Sequence, residues 1–280
     1  MLFTQGLDAT IAGTFGLLIG SFLNVVIYRL PKMLERQWAA ECAHLAGQPA
    51  PAGDSFNLLL PRSRCQQCGH PVRWYENIPV LSYFYLHGSC GTCGSAISRR
   101  YPLVELATAA LFFWSVWQWG FTPTGLAWCF FGAALLVLGL IDWDTTLLPD
   151  DITLPLLWSG LIAASLRWID TPLDSALWGA VTGYLSLWLI YWAFKWITGK
   201  EGMGYGDFKL FAALGAWFGW PALIPMILMA SVIGAVIGIA LKFSSGLREG
   251  GYVPFGPFLA AAGLSAMIFG PQALLRTIGL

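Results

Sequence analysis

Apolar positions in this chain neither alternate nor form a narrow stripe; they run on in long blocks separated by short polar connections. Eight blocks stand out, at about 9–28, 103–121, 125–141, 152–169, 175–197, 208–219, 221–241 and 252–272. A helix needs roughly 20 mostly apolar residues to cross the hydrocarbon core of a bilayer. The pattern therefore predicts an all-α polytopic membrane protein with about eight transmembrane helices. The sixth block is short and the seventh begins at Pro221, so the pattern defines the boundary between them least. Within the seventh, Gly234 and Gly238 lie four apart, a spacing suited to close helix contact.

One long polar stretch interrupts the blocks, at about 29–102. The predicted organisation is thus a first transmembrane helix (1–28), a polar region (29–102) and a membrane core (103–280). Composition agrees with lipid as the solvent: 57% of residues are hydrophobic and 11% charged, against about a quarter charged in soluble domains. Formal net charge is zero, which leaves no global field to attract nucleic acid. The first ten residues carry no Lys or Arg, so the first block reads as a retained anchor rather than a cleaved signal.

The distribution of positive charge predicts orientation. Arg29, Lys32, Arg36, Arg62, Arg64, Arg73, Arg99 and Arg100 fall in the polar region, and cytoplasmic segments near membrane ends are rich in such residues. With that region inside, threading the blocks places Lys195, Lys200, Lys209, Lys242 and Arg248 inside as well. Only Arg167 and Arg276 fall outside, and both termini become periplasmic.

The same threading brings two acidic segments to one membrane surface. The third block ends in Ile141-Asp142-Trp143-Asp144, followed by Leu148-Pro149-Asp150-Asp151. The connection into the sixth reads Gly202-Met203-Gly204-Tyr205-Gly206-Asp207-Phe208-Lys209. Ionisable residues at membrane depth are costly and mark function. Two carboxyl groups sharing a site divide one proton between them, which suits peptide hydrolysis: one draws a proton from water while the other hydrogen-bonds the scissile carbonyl. Capping is the plainer alternative, with Asp150 or Asp151 closing one helix and Asp207 another. Asp144 reads as a solvated neighbour. Lys209 either steadies Asp207 or extends its ammonium to the interface. Gly202, Gly204 and Gly206 would permit unusual backbone angles and close approach of an extended substrate.

The polar region has its own signature. Cys65-Gln66-Gln67-Cys68 and Cys90-Gly91-Thr92-Cys93 are two CxxC pairs with 21 residues between them, each followed by a glycine, Gly69 or Gly94. That pattern predicts a four-cysteine structural zinc site, and a loop with few apolar residues gains folding energy from the metal. Disulfides are the rival reading, disfavoured in a reducing cytoplasm. Cys129 falls in an apolar block and reads as packing; Cys42 is isolated.

These residues carry a family resemblance. Gly204-Tyr205-Gly206-Asp207 matches the GxGD signature of membrane aspartyl proteases, and Ile141-Asp142 with Leu148-Pro149-Asp150 resembles the first-aspartate segment of bacterial type IV prepilin peptidases. Ser21–Pro31, Arg62–Cys65, Glu76–Pro79 and the run from Ser98 to Glu105 resemble the same family, in order along the chain. The resemblance implies an inner-membrane enzyme that removes the basic leader from prepilins and pseudopilins of type IV pilus and type II secretion systems. It also implies methylation of the new N-terminal residue with S-adenosylmethionine. Asp142 and Asp207 would be the catalytic pair, supported by Gly204, Gly206, Lys209 and Asp150. The zinc-bearing region would be the methyltransferase-associated part, with Glu76 and Gly88 as candidates there. Ser89 departs from the family pattern, which commonly has a basic residue at that position.

Overall fold

A computed structural model describes residues 2–48, 55–200, 202–243 and 253–277. Arg248, assigned above to an inside connection, lies outside the described residues. Ten α-helices are present among them: α1 (Leu2–Leu45), α2 (Leu81–Tyr85), α3 (Arg100–Trp119), α4 (Pro123–Thr145), α5 (Asp150–Ser165), α6 (Leu173–Thr198), α7 (Tyr205–Phe218), α8 (Leu223–Phe243), α9 (Gly256–Phe269) and α10 (Pro271–Thr277). The described residues contain two isolated β-bridges and no named strand. Helices α1, α4, α6 and the segment containing α8 are long and apolar enough to cross a membrane. The large apolar side chains that α8 leaves exposed, Ile224, Leu228, Val232, Val236, Ile239 and Phe243, follow a helical spacing, as a lipid-facing stripe does. The protein is an integral membrane protein.

The first helix runs on into the polar region. Helix α1 does not stop near residue 28 but continues through Pro31 to Leu45. Its extension is made of residues such as Leu34, Glu35, Arg36, Gln37 and Ala39, all good helix formers. Loss of apolar character marks where lipid would end, not where the helix ends.

The chain divides into two compact units, Met1–Phe121 and Thr122–Leu280. In the first, α1 packs along α3 through glycines: a Cβ on Gly16 would meet the Ala109 backbone at 2.8 Å, and one on Gly20 the Glu105 backbone at 2.7 Å. Glu105, buried on α3, accepts the Val80 N–H at 2.7 Å and so ties the polar region to this pair. Buried Arg29 does the same from α1, donating to the carbonyls of Asn57 (2.9 Å) and Pro61 (2.6 Å).

The second unit is organised around α7. Asp207, Phe208 and every residue from Leu210 to Trp217 are buried, while Lys209 is only partly covered. A helix buried on nearly every side belongs at a bundle centre, and α5, α6 and α9 pack around it. The tightest crossing is α6 on α7, where Gly179 and Gly215 meet backbone to backbone. Neither glycine stood out in the apolar pattern. Of the pair that did, Gly234 packs against the Phe258 ring, and a Cβ on Gly238 would meet nothing within 4 Å. Gly179→Ala is therefore expected to destabilise the second unit by about 1–3 kcal/mol or more, through overpacking against an unyielding backbone. Gly238→Ala should leave the thermal midpoint unchanged; both are read by unfolding in detergent.

Candidate active site

Asp142 sits in the last turn of α4, where Thr146 takes a left-handed conformation (φ 57°) and donates its N–H to the Asp142 carbonyl at 2.8 Å. That turn sends the chain through Leu147, Leu148 and the buried Pro149 into α5. Asp207 sits in the first turn of α7. Both carboxylates are buried, at 4% exposure each, in a unit whose other buried side chains are nearly all apolar.

Asp207 is half engaged. Its Oδ2 accepts the Gly204 N–H at 3.2 Å, closing the start of α7 as an N3 acid does. Its Oδ1 is buried with no hydrogen-bond partner among the described residues. The capping reading is thus correct for one oxygen and silent about the other. A buried acceptor left unmet carries a desolvation cost of about 1–3 kcal/mol, so it marks a position where another polar group belongs.

Leu148 is the residue that the surroundings of the two acids share. A Cβ on Gly206, next to Asp207, would lie 2.6 Å from the Cβ of Leu148. One on Gly256, the first residue of α9, would lie 3.2 Å from the Cδ1 of Leu148 and 2.5 Å from the Oδ2 of Asp142. The two motif segments thus converge on one leucine. Of the GxGD glycines only Gly206 makes a close approach, and neither has an unusual angle: Gly204 is ordinary extended backbone (φ −82°, ψ 152°), while Gly202, just before the motif, lies against the Phe194 ring.

Lys209 neither steadies Asp207 nor simply reaches for the interface. Its ammonium contacts both oxygens of Asp150 at 2.7 Å, joining α7 to the start of α5. Asp150 and Asp151 occupy the first turn of α5, whose N-cap is Pro149, so neither is a side-chain cap. Asp144 is exposed. With side-chain exposures of 29% for Lys209 and 53% for Asp150, the pair is worth about 0–1 kcal/mol. Asp150→Ala is accordingly expected to slow any reaction at Asp142 and Asp207 by less than about tenfold. A loss equal to that of Asp142→Asn would give Asp150 a direct part in the chemistry.

In the first unit the four cysteines come together. The Sγ atoms of Cys65, Cys68, Cys90 and Cys93 all lie within 4.8 Å of one another, with Cys65–Cys93 at 3.8 Å and Cys68–Cys90 at 4.0 Å. Tetrahedral zinc with bonds of about 2.3 Å spaces its sulfurs about 3.8 Å apart, so the cluster fits zinc, while disulfide sulfurs would lie about 2.05 Å apart. The two halves are near copies. Cys65 and Cys90 each donate an N–H to a carbonyl five residues on, and Gly69 (φ 73°) and Gly94 (φ 70°) make the left-handed turns. The Cys68 backbone N–H and the Ser95 hydroxyl lower the Cys65 thiol to about 6, while burial and the thiols around it push Cys68 up to about 11, so the four sulfurs share their protons until a cation replaces them. Cys42 and Cys129 stand apart, the second buried in α4.

Glu76 and Gly88 have local work in this loop. Glu76 accepts the Arg73 N–H at 2.8 Å, which holds its carboxyl below the usual range, and approaches His70 at 3.4 Å. Gly88 has φ 67°, and a Cβ there would strike the Tyr83 hydroxyl at 2.9 Å. Ser89 turns its hydroxyl onto the Leu86 carbonyl at 2.8 Å.

A helical membrane protein with two buried acids at the ends of packed helices, and a separate four-cysteine module, defines a narrow class. Residues 14–119 match the family described as the Bacterial Peptidase A24 N-terminal domain, and residues 129–239 the Type IV leader peptidase family. The chain belongs to the type IV leader peptidase family. It is 52% identical to the prepilin leader peptidase/N-methyltransferase of Pseudomonas aeruginosa over 258 residues, covering 92% of this chain and 89% of that one. Proteins of the same name from Pseudomonas putida (51%; 94% and 91% covered) and Burkholderia pseudomallei (48%; 95% and 86% covered) are similarly close. No solved structure matches the chain.

Proposed function

We propose that this protein cleaves the basic leader from prepilins and pseudopilins at the cytoplasmic face of the inner membrane, and then methylates the new N-terminal residue with S-adenosylmethionine. Asp142 and Asp207 act as the catalytic pair. One carboxyl carries the shared proton and hydrogen-bonds the scissile carbonyl, while the other takes a proton from the attacking water. The observation that carries this reading is the burial of both motif aspartates with Leu148 lying against Gly206 beside Asp207 and against Gly256 beside Asp142, and with one oxygen of Asp207 left open. Extended backbone at Gly204 supports pairing of a substrate strand alongside it.

Methyl transfer belongs to residues 29–102, whose four cysteines hold a structural zinc ion, and cleavage to residues 103–280, with 1–28 as the first membrane helix. When bound, zinc cross-links the two cysteine turns. Glu76 and Gly88 serve this half by shaping the loop around those turns. The zinc region and both aspartates face the cytoplasm, and both termini face the periplasm. In that orientation a pilin leader remains inside while its apolar helix lies in the bilayer.

The test is the purified protein in detergent with a prepilin, with and without S-adenosylmethionine, followed by intact mass. Leader loss plus an added methyl group supports both activities. Leader loss without the methyl group confines the chain to proteolysis and makes Ser89 the first residue to restore to a basic side chain. No cleavage by folded protein contradicts the proposal.

A further inference from the structure

We propose that Gly256, at the start of α9, is a positioning residue for Asp142, and that Leu148 is the spacer that sets Asp142 relative to Asp207. The inference rests on the catalytic assignment above and adds to it two residues outside the paired acids.

Helix α9 packs along α4, and its first turn meets the last turn of α4 where Asp142 sits. At Gly256 there is no room for a side chain. A Cβ would lie 2.5 Å from Oδ2 and 3.1 Å from Cγ of Asp142, and 3.2 Å from Cδ1 of Leu148. Approaches under about 3 Å force something to shift, and here the nearest atoms belong to the carboxylate itself. Asp142 is buried and its Cβ is fixed by a packed helix, so the carboxylate can yield only by rotating away from where it now lies. The absence of a side chain at Gly256 also lets the carboxylate rest against the start of a helix, where peptide dipoles favour negative charge.

Leu148 completes the arrangement. Its side chain fills the space between Gly256 and Gly206: its Cδ1 would lie 3.2 Å from a Cβ at either position. Shortening it to alanine would remove the Cδ1 that reaches both the α9 start beside Asp142 and the α7 start beside Asp207. The spacing of two acids that must hold one water is then no longer set by packing.

The experiment uses the full-length protein in detergent with a prepilin. Gly256→Ala is expected to lower kcat for leader cleavage by about 10²-fold, the usual cost of displacing a reacting group by about 1 Å, with KM within about twofold. Leu148→Ala should lower kcat in the same sense by a smaller factor. Methylation of a pre-cleaved pilin and the zinc content should stay at wild-type levels in both, a split that general misfolding would not give. Gly238→Ala, where a side chain meets nothing, should match the wild type throughout. Wild-type kcat in both Gly256→Ala and Leu148→Ala overturns the inference while leaving the aspartates in place. If Gly256→Ala does not fold, Leu148→Ala alone decides, and wild-type kcat there overturns it. Full cleavage by Asp142→Asn, run alongside, would instead remove the assignment on which the inference stands.

Discussion

Stripping the metal from the four-cysteine cluster is expected to unfold the loop between residues 62 and 99 while leaving the α1–α3 pair standing. Little else holds that loop. The short helix Leu81–Tyr85 and the 3₁₀ turn Trp74–Asn77 have no buried residues, and Leu81, Phe84, Tyr85 and Trp74 are largely exposed. A structural zinc ion contributes about 10–16 kcal/mol in small peptides, far more than the tethers from Glu105 and Arg29 can supply. By contrast, α1 and α3 interlock through Gly16 and Gly20 without help from the cysteines. A strong chelator, or Cys90→Ser, should therefore make the loop protease-sensitive and reduce methyl transfer to background. Limited proteolysis followed by mass mapping, with metal content measured in parallel, reads both. A metal-free protein with a protease-resistant loop and intact methyl transfer would remove zinc from the scheme.

Replacing either aspartate with asparagine should cost at least about 10³-fold in the rate of leader release, within the span expected when a positioned acid or base is lost. Each substitution keeps the size of the side chain, so α4, α7 and their packing are retained and zinc content and methyl transfer continue. At Asp207 the cap is kept as well, because the asparagine carbonyl can accept the Gly204 N–H as Oδ2 does. What disappears is the proton held or taken at the second oxygen. Initial rates of leader release, against methylation of a pre-cleaved pilin as the internal control, measure the effect.

Much of this was legible in the chain because the controlling interactions are local. Runs of apolar residues marked the membrane helices, CxxC spacing marked the cysteine turns, and Gly204–Asp207 stood out as a motif. Helix α1 exceeded its apolar run because polar helix formers continue a helix without leaving an apolar trace. The partner of Lys209 was not visible either: Asp150 is 59 positions away, and only the packing of α5 on α7 brings them together. Gly256 lay unremarked inside the last apolar block. Its role depends on an atom it lacks, set against a carboxylate on another helix, and no periodicity records such a meeting. The same holds for Gly179 against Gly215.

That Asp142 and Asp207 form one site is tested most directly by the double variant Asp142→Asn/Asp207→Asn, measured beside each single variant under single-turnover conditions with leader release read by mass. Groups acting as a unit are grossly non-additive. The double variant should therefore fall to the same residual rate as either single one. A product of two independent losses, or a single variant that cleaves at the wild-type rate, would mean that the two acids do not work as a pair.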